Sequence, residues 1–160
     1  LIFLIDMKSR SNLTPAEVND IIYRSLVCHV GMVDTNGMPY VLPFNFGYQN
    51  DRLYIHSGPE GKKIGIWKSN PNVCVEFSTD YQMHHQNDSV ACSYSMRYKS
   101  VLIYGMVKEI DDIDKKKEVL EIFMLKYTSL QNFKYSTPAL ANVKVFEILP
   151  EKIEARAYGY

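Results

Sequence analysis

The sequence predicts a mainly β domain with helices added between its strands, its antiparallel sheet closed or split as a barrel. Three observations carry this. Short runs rich in Val, Ile, Tyr and Phe recur along the chain, tight-turn signals join them as hairpins, and helical spacing is confined to a few separate stretches. Successive hairpins argue against a parallel doubly wound sheet, whose strands need long crossovers.

Thr14-Pro15-Ala16-Glu17 opens the first helix: a hydroxyl cap, a proline at the first helical position and a carboxylate at the third. Val18, Ile21, Ile22 and Leu26 then recur at helical spacing, which predicts a helix over 15–26. Val27–Val33 reads as a strand, Asp34-Thr35-Asn36-Gly37 as a tight turn and Tyr40–Tyr48 as the returning strand. Asn50-Asp51 turns the chain into a third strand, Arg52–Ser57, which completes a meander. A short helix over 61–68 ends near Asn70-Pro71, and Val73–Phe77 alternates as a strand. Residues 78–92 are polar and read as a loop with strand ends. Tyr94–Ile110 is long enough for one bent strand with a bulge at Gly105. Asp111–Tyr127 carries Ile113, Val119, Leu120, Phe123 and Met124 near helical spacing. Val143–Leu149 and Ile153–Tyr158 read as two closing strands around Pro150.

At 160 residues the chain has the length of one domain, read as 12–160 after an N-terminal extension over 1–11. Apolar residues at 46% and charged residues at 22% match globular averages, which argues against disorder. Zero formal net charge argues against a general nucleic-acid binder, so any anion site must be local. The opening Leu1–Ile5 is apolar but too short to span a bilayer and lacks a charged leader, so no membrane partner is expected. Cys28, Cys74 and Cys92 have neither the count of a disulfide scaffold nor the spacing of a metal knuckle, which fits a reducing cytoplasm.

The stretch from Leu53 to Trp67 carries the most chemistry. A strand delivers His56 and Ser57 into the Gly58-Pro59 turn, and a helix then opens on Lys62 and Lys63. Cations at a helix start face the positive end of its dipole, so something negative should compensate them. Two readings of the pair stand here: solvated lysines on a surface helix, or donors to a phosphate shared with Ser57 and backbone amides. His56 lies on the strand face opposite Ile55, as a partner for a backbone carbonyl or as a catalytic group. Further on, alternation puts Arg97, Lys99 and Val101 on one face and Tyr98 and Ser100 on the other. Pro43 cannot donate to a ladder and marks an edge or a bulge. His84 and His85 are adjacent on an extended chain, point to opposite faces and cannot easily share one ion, so no metal site is expected.

His56-Ser57-x3-Gly61-Lys62-Lys63 with Asn70-Pro71-x-Val73, then Lys99-Ser100-Val101-x3-Gly105-x-Val107, and upstream Pro39–Pro43, resemble the pyridoxamine 5'-phosphate oxidase-like flavoproteins. The branch that includes nitroimidazole-resistance (Nim) proteins is the nearest in likeness, and the resemblance covers about 12–158. It implies a six-stranded FMN-binding split barrel, a homodimer, and FMN in the cleft between subunits. It implies that Ser57, Lys62 and Lys63 hold the flavin phosphate, that Lys99, Ser100 and Val101 reach the isoalloxazine ring, and that the backbone of Leu42, Pro43 and Phe44 runs along it. His56 matches a histidine that Nim proteins carry beside their active site, which makes it the catalytic candidate. The implied activity is electron transfer from NADH or NADPH to a small-molecule acceptor such as a nitroaromatic. Related split barrels also include flavin- and haem-binding proteins without turnover of their own. The C-terminal arginine-and-proline signature for pyridoxal phosphate is missing, since Arg156 stands alone there, so vitamin B6 oxidation is not expected.

Overall fold

The computed structural model describes residues 8–130 and 133–160; the apolar opening of the chain lies outside them. The strands are β1 (Ser9–Arg10), β2 (Cys28–Val33), β3 (Pro39–Phe44), β4 (Phe46–Gln49), β5 (Arg52–Ser57), β6 (Asn72–His84), β7 (Ser95–Ile110) and β8 (Lys144–Tyr158). The helices are α1 (Pro15–Arg24), α2 (Lys62–Ser69), α3 (Ile113–Tyr127) and α4 (Thr137–Asn142). Every pairing is antiparallel, in the order β3-β2-β6-β7-β8-β5-β4, with β1 added at the end of β8.

That order makes the barrel. β3 and β4 sit at opposite ends of the path, yet only Asn45 separates them in the chain. The sheet must therefore curl until its two edges approach each other. The run read as one strand, Tyr40–Tyr48, accordingly divides: its first half pairs with β2 and its second with β5. The path thus holds seven strands where six were expected. Pro43 is tolerated because β3 is an edge strand.

Two further expectations change. The segment read as a loop after Phe77 continues as β6 to His84, because β7 is long enough to keep pairing with it across a register break between Thr79 and Gln82. The two closing strands are one, β8: Pro150 sits opposite Gly105 at a bulge, where its missing N–H is accommodated. The bulge at Gly105 is as predicted, with the extra residue, Glu151, on β8.

The barrel interior is filled by Val30, Phe46, Leu53, Ile55, Val75, Phe77, Val101, Ile103 and Ile148, with Ile21 and Ile22 of α1 and Ile64 and Trp67 of α2 in the same cluster. A second cluster lies beneath α3, where Val119 and Phe123 pack on Tyr54 and Val145. β5 is therefore covered on both faces, and residues that share the Tyr54 face look toward α3. No helix among the described residues is long and apolar enough to cross a membrane.

Candidate functional site

α2 begins without a side-chain cap. Gly61 precedes it at φ 120° and its first turn holds no acidic residue. The other helices are capped by Thr14, Asp112 and Ser136. An uncapped start leaves amide N–H groups for an outside acceptor, and the helix dipole favours an anion there. Lys63 contributes its ammonium, whose Nζ lies 3.5 Å from the position a Cβ on Gly61 would take. Lys62 reaches the other way, to Asp34 at 3.2 Å, with its Nζ 4.8 Å from the centre of the Tyr40 ring. Ser57 donates its hydroxyl to the Gly58 carbonyl at 2.7 Å. The α2 amides and Lys63 suit a phosphate, whereas Ser57 and Lys62 are engaged within the chain.

Asp34, which the sequence marks only as the opener of a turn, has a second role. Its Oδ1 accepts from the amides of Asn36 and Met38, both at 3.0 Å, so the β2–β3 turn fixes the carboxylate that meets Lys62. The Met38 bond, then Lys62 and the Asn36 amide, hold its pKa below the ordinary carboxylate value against the opposing effect of desolvation. It competes with any incoming anion for Lys62.

His56 follows Tyr54 on the face of β5 that looks toward α3, and its ring meets Phe123 edge-on at 4.7 Å between centroids. Burial lowers the imidazole pKa, which keeps the ring neutral at physiological pH. A neutral imidazole offers one donor and one acceptor.

On β3, Leu42 packs against the core and Phe44 is buried with its ring 6.0 Å from that of Trp67, while Pro43 is exposed. The strand therefore presents its backbone and Pro43 outward. Through Phe44–Trp67 and Tyr40–Lys62 it adjoins α2, so Leu42, Pro43 and Phe44 belong to the same neighbourhood as Ser57, Lys62 and Lys63.

The β7 residues lie elsewhere. Ser57 pairs with Lys144 and Ser100 with Arg156, near opposite ends of β8 and about 40 Å of strand apart. Val101 is fully buried and offers only its backbone. Ser100 lines a 610 Å³ groove on the outer face together with Tyr98, Leu102, Glu154 and Arg156, and neither Ser57 nor either lysine of α2 contributes to it. Lys99, on the alternate face, pairs with Asp80 at 3.0 Å. His84 accepts from Arg97 at 3.1 Å, whereas His85 pairs with Asp88 and stacks on Tyr94; the adjacent histidines have separate partners. Among the described residues there is no cluster of three or more His, Cys, Asp or Glu able to hold a metal.

A family model described as pyridoxamine 5'-phosphate oxidase matches residues 14–157. Among solved structures, a protein from Bacteroides thetaiotaomicron, provisionally assigned as a 5-nitroimidazole antibiotic resistance protein, is 41% identical. That match covers 95% of this chain and 89% of the other, with a TM-score of 0.85. The flavocytochrome Anf3 of Azotobacter vinelandii is 20% identical over 93% of this chain and 68% of its own, at a TM-score of 0.79. A protein of Mycobacterium smegmatis described as binding FAD and haem is 16% identical over 96% and 74%, at a TM-score of 0.79. At these lower identities the likeness is one of fold. No protein of curated function matches the sequence.

Proposed function

Because the chain belongs to the pyridoxamine 5'-phosphate oxidase family, we propose that it is a homodimeric, cytoplasmic, FMN-dependent oxidoreductase passing electrons from a reduced nicotinamide to a small acceptor, a nitroaromatic compound being the leading class. The observation that carries the cofactor is the uncapped start of α2, where free amides and the Lys63 ammonium converge on a position suited to a phosphate. The acceptor class rests on the 41%-identical protein assigned to nitroimidazole resistance.

The flavin supplies the two-electron chemistry when bound, and the chain supplies placement and charge. Lys63, the α2 amides and, once released from Asp34, Lys62 hold the phosphate. The exposed edge of β3 adjoins α2 and would present the backbone of Leu42, Pro43 and Phe44 to the flavin. Ser100 would donate to the polar rim of the ring, and Lys99, on the opposite face of β7 and paired with Asp80, would act on it only through its charge across the strand. His56, neutral and backed by Phe123, would orient the acceptor through its one N–H donor or its one ring-nitrogen acceptor. The groove that Ser100 lines lacks the α2 lysines, so in this reading one cofactor takes its phosphate donors from one subunit and its ring contacts from the partner.

Mass spectrometry of the ligand released from purified protein identifies the cofactor, with FMN expected. Anaerobic stopped-flow mixing with NADH and NADPH should bleach the flavin bands, and a nitroimidazole should restore them. Bound flavin that neither nicotinamide bleaches would mean a flavin-binding protein without this turnover. A colourless protein that takes up no FMN would end the flavin reading.

A further inference from the structure

Asp80 adopts a left-handed backbone, at φ 58°, that a residue other than glycine rarely occupies. It sits in the register break of β6, between Thr79, paired with Lys99, and Gln82, paired with Arg97. The turned backbone brings one carboxylate to two cations on different elements. Arg24, at the end of α1, donates to both of its oxygens, Nη1 to Oδ1 at 2.5 Å and Nη2 to Oδ2 at 3.0 Å. Lys99 on β7 meets Oδ2 at 3.0 Å. The Tyr160 hydroxyl donates to the Asp80 carbonyl at 2.6 Å, and its ring lies beneath Lys99, 5.0 Å from Nζ. The Arg24 bonds, followed by that of Lys99, lower the Asp80 pKa to about 2, so the carboxylate is charged at neutral pH.

We propose that Asp80 is a positioning residue for the charge of Lys99: it fixes the ammonium on β7 and, shared with Arg24, sets how much of that charge reaches the bound flavin. This rests on the reading that the ring occupies the groove lined by Ser100, with Lys99 acting on it as a charge from the opposite face of β7. Arg24 also bonds Asp20 at 2.9 Å, and Arg97 faces the same Tyr160 ring at 6.0 Å, so two carboxylates stand among three cations. The cluster therefore holds one more cation than carboxylate. Reduced flavin carries more negative charge than oxidised flavin, so a freer Lys99 favours the reduced form.

Asp80→Asn is the informative variant, because asparagine accepts a left-handed backbone and keeps the carbonyl that Tyr160 uses. The experiment measures the midpoint potential and dissociation constant of FMN in the wild type, Asp80→Asn, Lys99→Met and the double variant. Asp80→Asn should favour binding of reduced over oxidised FMN by about tenfold, which is about 30 mV upward for a two-electron couple. That shift should vanish in the Lys99→Met background. Arg24→Met, which leaves Asp80 wholly to Lys99, should move the potential downward and serves if Asp80→Asn folds poorly. An equal shift with and without Lys99, or no shift from either Asp80→Asn or Arg24→Met while Lys99→Met lowers the potential, overturns the role of Asp80 and leaves the flavin reading standing. If Lys99→Met changes neither affinity nor potential, the charge of Lys99 does not reach the ring and the proposal goes with that reading.

Discussion

In the proposed reading His56 and Lys63 do different work although only six residues lie between them, and substitution tells them apart. If Lys63 and Lys62 hold the cofactor as proposed, Lys62→Ala with Lys63→Ala removes charge-assisted bonds worth about 1.5–3 kcal/mol each, so FMN affinity should fall about tenfold or more. Most of that loss belongs to Lys63, since Lys62 is half-exposed and already paired with Asp34. Flavin titration by fluorescence quenching measures it, and wild-type affinity in the double variant would displace the phosphate from α2. His56 is proposed to act on the acceptor and, through burial, it bears on stability. Its folded pKa lies below the ordinary 6.5, so below pH 6.5 the unfolded chain takes up a proton that the folded one resists. The unfolded state then binds more protons, and stability falls as pH drops through 6.5 toward the folded value. His56→Gln cannot titrate and should lose less stability than the wild type between pH 7 and pH 5, as read from urea midpoints. The same variant should keep its flavin and lose acceptor turnover.

At the scale of elements, the bulge between β7 and β8 makes the sharpest demand on sequence. Gly105 is buried, and a Cβ there would collide with the Leu149 carbonyl oxygen, a backbone atom that cannot swing aside. Gly105→Ala should therefore cost about 1–3 kcal/mol, seen as a lower urea midpoint with little change in slope. An unchanged midpoint would mean that β8 shifts freely at Glu151. This glycine was legible in the sequence because it interrupts a strand of β-branched residues, and α1 was legible because Thr14 and Glu17 form a complete capping box. Other features depended on partners distant in the chain. Nothing around Asn45 marks the passage from one sheet edge to the other, since Phe44 and Phe46 continue the apolar run. β6 was cut short because its outer residues are polar, and polarity there reflects pairing with β7 alone rather than a loop. Local spacing singles out Ser57, Lys62 and Lys63 as candidates, whereas Asp34 and Asp80 carry no such local signal, because their partners are cations brought in from α2, α1 and β7.

The whole molecule is a sheet whose two edges meet at one residue, and Tyr127 of α3 closes the joint. Its hydroxyl accepts from the Phe46 amide at 3.0 Å and donates to the Leu26 carbonyl at 2.9 Å, tying α3 to the start of β4 and to the segment after α1. Tyr127→Phe strands a buried N–H on Phe46 and should cost about 1–3 kcal/mol, measured by urea unfolding; a smaller loss would mean that water satisfies the amide. A barrel closed in this way has Lys62 and Lys63 at the β3–α2 end and Ser100 in a groove that excludes them. If each cofactor joins the α2 lysines of one subunit to the β7 strand of its partner, two defective chains must repair each other. A Lys62→Ala, Lys63→Ala chain and a Lys99→Ala, Ser100→Ala chain each form homodimers with two damaged sites. Their heterodimer concentrates both defects in one site and leaves the other intact. Unfolding the two variants together and refolding them at equal amounts should then restore about a quarter of wild-type FMN sites, since half of the dimers are mixed and each carries one good site. Separately refolded controls should bind no better than before. No recovery in the mixture, with mixed dimers confirmed by native mass spectrometry, would place the whole site within one chain.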